Sequence, residues 1–228
     1  ARQLDYAQRQ FAAVLALPAG VRQKWALRAE FMLGRTAALG GDREAARKHY
    51  GAVRDAVRNK APDPLELAVA SLGEEAWLFW TDREVAPAVE LYAQQAACGS
   101  DSGSASLIEV AWTVLRDEAL LDLAVKDPLS RKLLVAYLSA RKGDVAQVER
   151  MAAALDRGKV TDVTGLGALA AAAYARAYYS LAQALAAKEQ NSAASAWVNA
   201  KLALRAGDQN KALFFSLLTT NAISSPIN

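Results

Sequence analysis

The side chains in this sequence that could support nucleophilic catalysis are His49 and Cys98. A serine or cysteine nucleophile needs a base close by, and His49 is the only histidine in the chain. No hydroxyl or thiol stands out as its partner, so we interpret His49 as a solvated or packing residue. Cys98 precedes a run of Gly and Ser, and we interpret it as the end of a helix followed by a linker.

Two adjacent carboxylates, Glu74 and Glu75, lie near Trp77 and Trp80 and raise the possibility of glycoside hydrolysis. Adjacent residues of an α-helix point about 100° apart, so these carboxylates do not converge on one substrate atom. We therefore predict no enzymatic activity. The four residues instead form our predicted partner-binding set, suited to a basic or aromatic peptide. A small-ligand site among Trp77, Trp80 and Trp112 is a further possibility.

The run from Gly165 to Ala170 matches the G-x-G-x-x-A pattern of dinucleotide-binding proteins. That pattern needs a preceding strand and a βαβ unit, so that a pyrophosphate meets the start of a helix. Only Val160 to Thr164 could be that strand, and no parallel partner follows it. We predict instead a helix that opens at the glycines and is capped by Thr164. No cofactor is predicted, and the single cysteine rules out a cysteine-based zinc site.

The composition predicts an all-α protein. Of the 228 residues, 53% are hydrophobic, and most of these are Ala and Leu, which favour helices. A chain of this length buries a sizeable core without disulfides or metals. The longest apolar stretch, Gly165 to Ala187, carries Arg176 near its middle, so we expect a buried helix and no transmembrane segment.

Charge is distributed in three blocks. Residues 1–60 hold 12 basic and 5 acidic side chains, residues 61–130 hold 3 and 13, and residues 131–228 hold 12 and 6. Phosphate binding favours an uninterrupted positive surface, which this alternation does not provide. We therefore expect complementary or solvated helix faces and no nucleic-acid partner.

Clusters of Gly, Pro and Asp divide the chain into about a dozen helical segments. Many of these breaks place Asp, Ser or Asn just before the next apolar run, where a side-chain oxygen can accept from the first amides of a helix. We predict helix pairs in residues 1–98, a flexible loop at 99–106, further helix pairs at 107–220 and a polar tail at 221–228.

An internal repeat has the spacing Ala-x3-Phe/Tyr-x2-Val. These positions share one helix face, where the small residue allows a close approach and the aromatic ring fills the adjacent groove. Such a face cannot be buried by one helix alone, so stacked neighbours are expected. The copies are Ala7-Phe11-Val14 and Ala46-Tyr50-Val53, with weaker copies at Ala88-Tyr92 and Val148-Ala152-Leu155.

The segment from Leu33-Gly34 through Gly41-Asp42 to Ala46-Tyr50-Val53 resembles the tetratricopeptide repeat (TPR). The turns at Gly143-Asp144 and Gly207-Asp208 are similar. The resemblance implies a right-handed α-solenoid of antiparallel helix pairs with a concave groove for peptides or protein surfaces. The matching helices are 39, 42 and 60 residues apart, longer than the family period of 34. We therefore predict irregular repeats, with an extra helix or pair in the longest interval.

These observations lead us to expect a non-enzymatic scaffold that binds another protein or peptide. The alternative is the helical, non-catalytic module of a larger bacterial enzyme, such as a cell-wall lytic enzyme, because the chain begins in mid-repeat. The opening Ala-Arg-Gln also suggests a piece processed from a longer polypeptide. The Ala- and Arg-rich composition leans towards a bacterial envelope or periplasm and leaves the cytoplasm open. It does not predict an oligomeric state.

Overall fold

A computed structural model describes residues 2–140, 144–161 and 163–223 of the chain. Every regular element within those residues is an α-helix, which confirms the predicted all-α class. The composition explains this result, because Ala and Leu have high intrinsic helix propensities.

The chain forms two compact units, which span Ala1–Leu107 and Ile108–Asn228. The boundary falls inside the seventh helix. The helices of the first unit are α1 (Arg2–Leu15), α2 (Ala19–Arg22), α3 (Ala26–Leu39), α4 (Arg43–Arg58), α5 (Leu67–Thr81), α6 (Val85–Ala97) and the first half of α7 (Asp101–Val114). Those of the second are the rest of α7, α8 (Glu118–Ala124), α9 (Pro128–Ala140), α10 (Val145–Arg157), α11 (Leu166–Ala175), α12 (Tyr179–Lys188), α13 (Ala193–Arg205) and α14 (Gln209–Ile223).

Consecutive helices pack against each other as pairs in both units. In the first unit, α3 packs on α4 and α5 on α6, and α5 also contacts both members of the preceding pair. In the second unit, α11 packs on α12 and α13 on α14, and α13 also contacts both α11 and α12. Each of these pairs therefore packs against the pair that precedes it in the sequence.

Capping side chains begin several of these helices, as the break pattern predicted. Asp42 accepts from the Ala45 amide at 2.9 Å, and Asp117 accepts from the Leu120 amide at 3.0 Å. Each bond satisfies one of the amides that the first turn of a helix leaves without an intrahelical partner. The same arrangement occurs at Asp127, Asp144, Ser192 and Asp208.

The best-matching repeat segment forms the core of the first unit. Ala46, Tyr50 and Val53 of α4 are fully buried. A Cβ atom at Gly34 of α3 would lie 2.6 Å from Cε1 of Tyr50, so the Tyr50 ring packs directly on the α3 backbone. Phe31 packs against the same ring, with centroids 5.9 Å apart. Ala46, Tyr50 and Gly34 thus belong to one close contact between α3 and α4.

The prediction of a flexible loop at 99–106 is wrong. Asp101 begins α7, and only Gly99 and Ser100 separate that helix from Cys98, the C-cap residue of α6. A Cβ atom at Gly103 would lie 2.6 Å from the backbone nitrogen of Ala96. Small residues in this run therefore let two helices approach closely, whereas composition alone suggested a linker.

The second unit uses small residues in the same way between α11 and α13. A Cβ atom at Gly167 would lie 2.4 Å from Oγ of Ser192 and 3.0 Å from the backbone nitrogen of Ser195. Ser195 is fully buried, and its hydroxyl lies 2.9 Å from that of Ser192. The two helices can approach this closely because Gly167 has a hydrogen atom where any other residue has a Cβ atom.

The extra helices predicted for the longest repeat interval are present, since α7, α8 and α9 lie between α6 and α10. At the carboxyl end, α14 continues to Ile223, so residues 221–223 of the predicted tail are helical. Residues 224–228, and residues 141–143 of the predicted Gly-Asp turn, lie outside the described residues.

Candidate functional site

Glu75, one of the four predicted site residues, is a structural group. Its side chain is only 12% exposed, and its carboxylate accepts from Nη2 of Arg54 on α4 at 2.5 Å. Nη1 of Arg54 also donates to the buried hydroxyl of Ser71, at 3.2 Å. This interhelical bridge fixes the contact between α4 and α5 and places Glu75 away from solvent.

Glu74 points to a different set of partners. Its Oε1 lies 3.4 Å from Nε of Arg35 on α3, and its Oε2 accepts from the Tyr50 hydroxyl at 3.4 Å. Burial, and then the negative charge of Glu74, raise the pKa of Tyr50 well above its ordinary value. Glu74 and Glu75 therefore diverge, as their adjacent positions on a helix predicted.

Trp77 and Trp80 also differ in their surroundings. Trp77 is 56% exposed, the largest exposed fraction among the four exposed tryptophans Trp25, Trp77, Trp112 and Trp197. Trp80 is partly buried, and it does not line the surface pocket to which Trp77 contributes. Trp112 belongs to the second unit, where the Arg116 guanidinium lies 4.1 Å from the centroid of its ring.

A depression of about 370 Å³ lies on α5, α6 and α7 of the first unit, and Trp77 forms part of its wall. Glu74 lines it too, so the structure brings two of the four predicted residues to one site. The remaining lining residues are Ala70, Gly73, Tyr92, Gln95, Ser102 and Ser106. This surface therefore combines an exposed ring, a carboxylate, an amide, two serine hydroxyl groups and the side chain of Tyr92.

Gln95 is the site residue that the sequence reasoning missed. It is only 6% exposed, and its Nε2 donates to the Ser102 hydroxyl at 3.2 Å. A Cβ atom at Gly73 would lie 2.7 Å from Oε1 of Gln95, so Gly73 creates the space for the amide. Within the repeat that starts at Ala88, position 95 is where the other copies carry Val or Leu. That polar replacement in an apolar pattern was the available signal.

His49 and Cys98, the two candidates for nucleophilic catalysis, lie on α4 and directly after α6. Nδ1 of His49 lies 2.6 Å from Oε2 of Glu30 on the neighbouring helix α3. Cys98 is exposed and is the C-cap residue that follows α6. Among the side chains that the structure describes, no group of three or more His, Cys, Asp and Glu could hold a metal ion.

The Gly165–Ala170 run opens α11, and no strand precedes it among the described residues. Thr164 does not cap this helix, contrary to our prediction, because Gly165 occupies the cap position with φ of 89°. The carboxylate of Glu189 accepts from the amides of Gly165 and Gly167 at 3.0 and 2.7 Å. A side chain of the protein therefore occupies the place that a pyrophosphate would take.

The second unit carries a cluster of aromatic and basic side chains that the sequence reasoning did not identify. Tyr174 makes edge-to-face contacts with Tyr179 and Trp197, with centroids 5.3 and 5.6 Å apart. The Arg205 guanidinium lies 4.0 Å from the Tyr179 centroid, and Lys201 lies 5.7 Å from that of Trp197. These cations cover ring faces that bases would otherwise stack on.

None of the helices that the structure describes has the length and hydrophobicity needed to cross a membrane. No protein-family model matches the chain, and no curated protein matches it significantly. Among solved structures, BtubC from P. vanneervenii is similar over 100% of this chain and 93% of its own length. The identity is 14% and the TM-score is 0.35, too low to support an argument about function.

Proposed function

We propose that this chain is a non-enzymatic scaffold, built from TPR-like antiparallel helix pairs, that binds a segment of another protein. The observation that carries the proposal is the exposed ring of Trp77 beside the buried amide of Gln95 in the α5–α7 depression. An exposed aromatic residue and a sheltered polar group are the usual components of a peptide-binding hot spot.

The helix contacts support the solenoid part of the proposal. The pairs α3–α4 and α5–α6 are sequential, and α3 contacts α5, the first helix of the next pair. In a TPR-like solenoid, the first helices of successive pairs line the concave surface. Trp77 is on α5, a first helix, so this arrangement would place its ring on the concave side.

The chemistry of the depression favours a short peptide segment with one large apolar side chain. That side chain would pack on the Trp77 ring, where burial of apolar area contributes most to affinity. The hydroxyl groups of Ser102 and Ser106 and the amide of Gln95 would bond the peptide backbone, because they can both donate and accept. Glu74 would favour a basic neighbour on the peptide.

The test is affinity capture from a native lysate with the full chain as bait, followed by quantitative mass spectrometry. We expect Trp77→Ala and Gln95→Val to lose a protein that the unchanged chain retains. Trp112→Ala is the matched control, because it removes an exposed tryptophan outside the depression and should retain that protein. Circular dichroism should show the same helicity for all variants, since the other repeat copies carry an aliphatic residue, Val or Leu, at the position of Gln95.

Equal retention of the same proteins by Trp77→Ala and Gln95→Val would overturn the proposed site. Retention of the chain on purified peptidoglycan, with no protein captured, would instead favour the module of a cell-wall lytic enzyme.

A further inference from the structure

Arg131 on α9 is a buried cation whose side chain lines a pocket. It is only 8% exposed, and its Nη1 donates to the backbone oxygen of Val125 at 3.0 Å. No carboxylate among the described residues pairs with its guanidinium. Buried arginines are almost always paired, because removing a charge from water is costly unless another group compensates it. A ligand in this pocket would be placed to accept from the remaining N–H groups of Arg131.

Arg131 lines a pocket of about 210 Å³ in the second unit, which we call the Arg131 pocket. Its other lining residues are Pro128, Lys132, Val163 and Thr164. One water molecule takes about 30 Å³ in the liquid, so the pocket has room for a tetrahedral oxyanion. Among the described residues, the polar side chains of the lining are two cations and a hydroxyl group.

The positive character of this pocket comes from its side chains and not from the start of α9. The first turn of a helix carries a partial positive charge and presents unpaired amides. At α9 the carboxylate of Asp127 offsets that charge, and its Oδ2 accepts from the Ser130 amide at 2.7 Å. Lys132, one residue after Arg131, is exposed and pairs with no carboxylate of the described residues.

We propose that the Arg131 pocket binds a phosphate group, with the Arg131 guanidinium as its central ligand and Lys132 and Thr164 at its rim. Arginine presents its donors in a planar fork that fits phosphate oxygens. A phosphate dianion balances two cations, whereas a carboxylate balances only one. This site belongs to the second unit and goes beyond the proposed function, because it requires nothing of the α5–α7 depression.

The test uses the full chain and inorganic phosphate, measured by isothermal titration calorimetry and thermal unfolding against chloride at equal ionic strength. We expect phosphate to bind and to raise the melting temperature, whereas chloride does not. Arg131→Met should weaken binding at least about tenfold, and Lys132→Gln about threefold, in line with charge-assisted hydrogen bonds. Lys211→Gln removes the same charge from α14 and should leave binding unchanged.

Two further measurements keep the result interpretable, one on Arg131→Met and one on Asp162→Asn. In phosphate-free buffer, Arg131→Met should be at least as stable as the unchanged chain, because it removes an uncompensated buried charge and keeps an apolar stem. Asp162 is next to Val163 in the sequence but outside the described residues. We expect Asp162→Asn to leave phosphate affinity unchanged.

Three results would overturn the proposal. One is an equal response to phosphate and chloride. A second is unchanged phosphate binding by Arg131→Met. The third is a gain in affinity for Asp162→Asn, which would make Asp162 the internal partner of Arg131. A comparison of inorganic phosphate with a phosphoserine peptide and a sugar phosphate then identifies the source of the group. Trp77→Ala should not affect any of these measurements, so this proposal and the proposed function can fail separately.

Discussion

The α3–α5 region of the first unit and the α11–α13 region of the second differ in the size of the side chains that fill the contact between helices. The first places a large ring, Tyr50, between helices and surrounds it with the Arg54–Glu75 bridge and the Arg35–Glu74 pair. The second brings helices together through Gly167 and two serines.

The difference shows where polar groups can find partners. Long side chains between helices reach across to each other, so the buried polar groups of the α3–α5 region satisfy one another. In the α11–α13 region, a long side chain instead meets backbone groups, since Glu189 accepts from the amides of Gly165 and Gly167. On α9 of the second unit, the hydroxyl of Ser130 is buried with no hydrogen-bond partner, and Arg131 donates to the backbone oxygen of Val125. The buried polar side chains of α9 therefore lack the side-chain partners that those of the α3–α5 region have.

The largest expected effect tests the role of the central ring. Tyr50→Ala leaves a cavity at a fully buried position, and we expect a loss of about 3–5 kcal/mol in the free energy of unfolding. Urea unfolding of the full chain measures it. Tyr6→Ala, at a position that is 60% exposed, is the control and should stay within about 0.5 kcal/mol. A loss below about 1 kcal/mol for Tyr50→Ala would mean that the ring is not central.

The next effect tests close backbone packing in the second unit. Gly167→Ala puts a Cβ atom 3.0 Å from the Ser195 backbone nitrogen, and we expect a loss of about 1–3 kcal/mol from overpacking. Gly51→Ala is the matched control, because Gly51 lies inside α4 with nothing within 4 Å of its added Cβ. It should gain up to about 1 kcal/mol from helix propensity. Equal effects at both positions would contradict the close contact.

A third substitution tests the interhelical bridge. Glu75→Gln leaves the largely buried Arg54 guanidinium without its carboxylate, and we expect a loss of about 1–3 kcal/mol by urea unfolding. Asp55→Asn breaks an exposed pair with Arg58 and should cost less than about 0.5 kcal/mol. If the two losses match, burial does not distinguish these pairs.

The smallest effect is a pH dependence. The pKa of Tyr50 is raised in the folded chain, while an unfolded tyrosine titrates near its ordinary pKa of about 10. Above that pH the unfolded chain releases a proton that the native chain keeps, so stability falls as pH rises. The slope should approach about 1.4 kcal/mol per pH unit.

Tyr50→Phe should remove that contribution to the slope. The measurement is urea unfolding of both chains from about pH 9 to pH 11, since their shared groups cancel in the difference. Parallel curves would show that Tyr50 does not retain its proton in the folded chain.

The candidate site was only partly predictable. The sequence singled out Glu74 and Trp77 but gave Glu75 and Trp80 equal weight, because a helical pattern does not say which face meets a neighbouring helix. The Arg54 side chain decides that Glu75 is structural. Gln95 had a visible signal, a polar residue at a repeat position that carries Val or Leu elsewhere, but its importance depends on the space that Gly73 leaves.

By itself, the sequence determined the helical class, most of the breaks and the helix caps, because propensity and capping are local properties of a few neighbouring residues. Tertiary structure alone decided that the Ser- and Gly-rich run after Cys98 is helical and that Arg131 is buried. Both depend on how closely helices distant in the sequence approach each other, and that approach follows from shape and packing and not from composition.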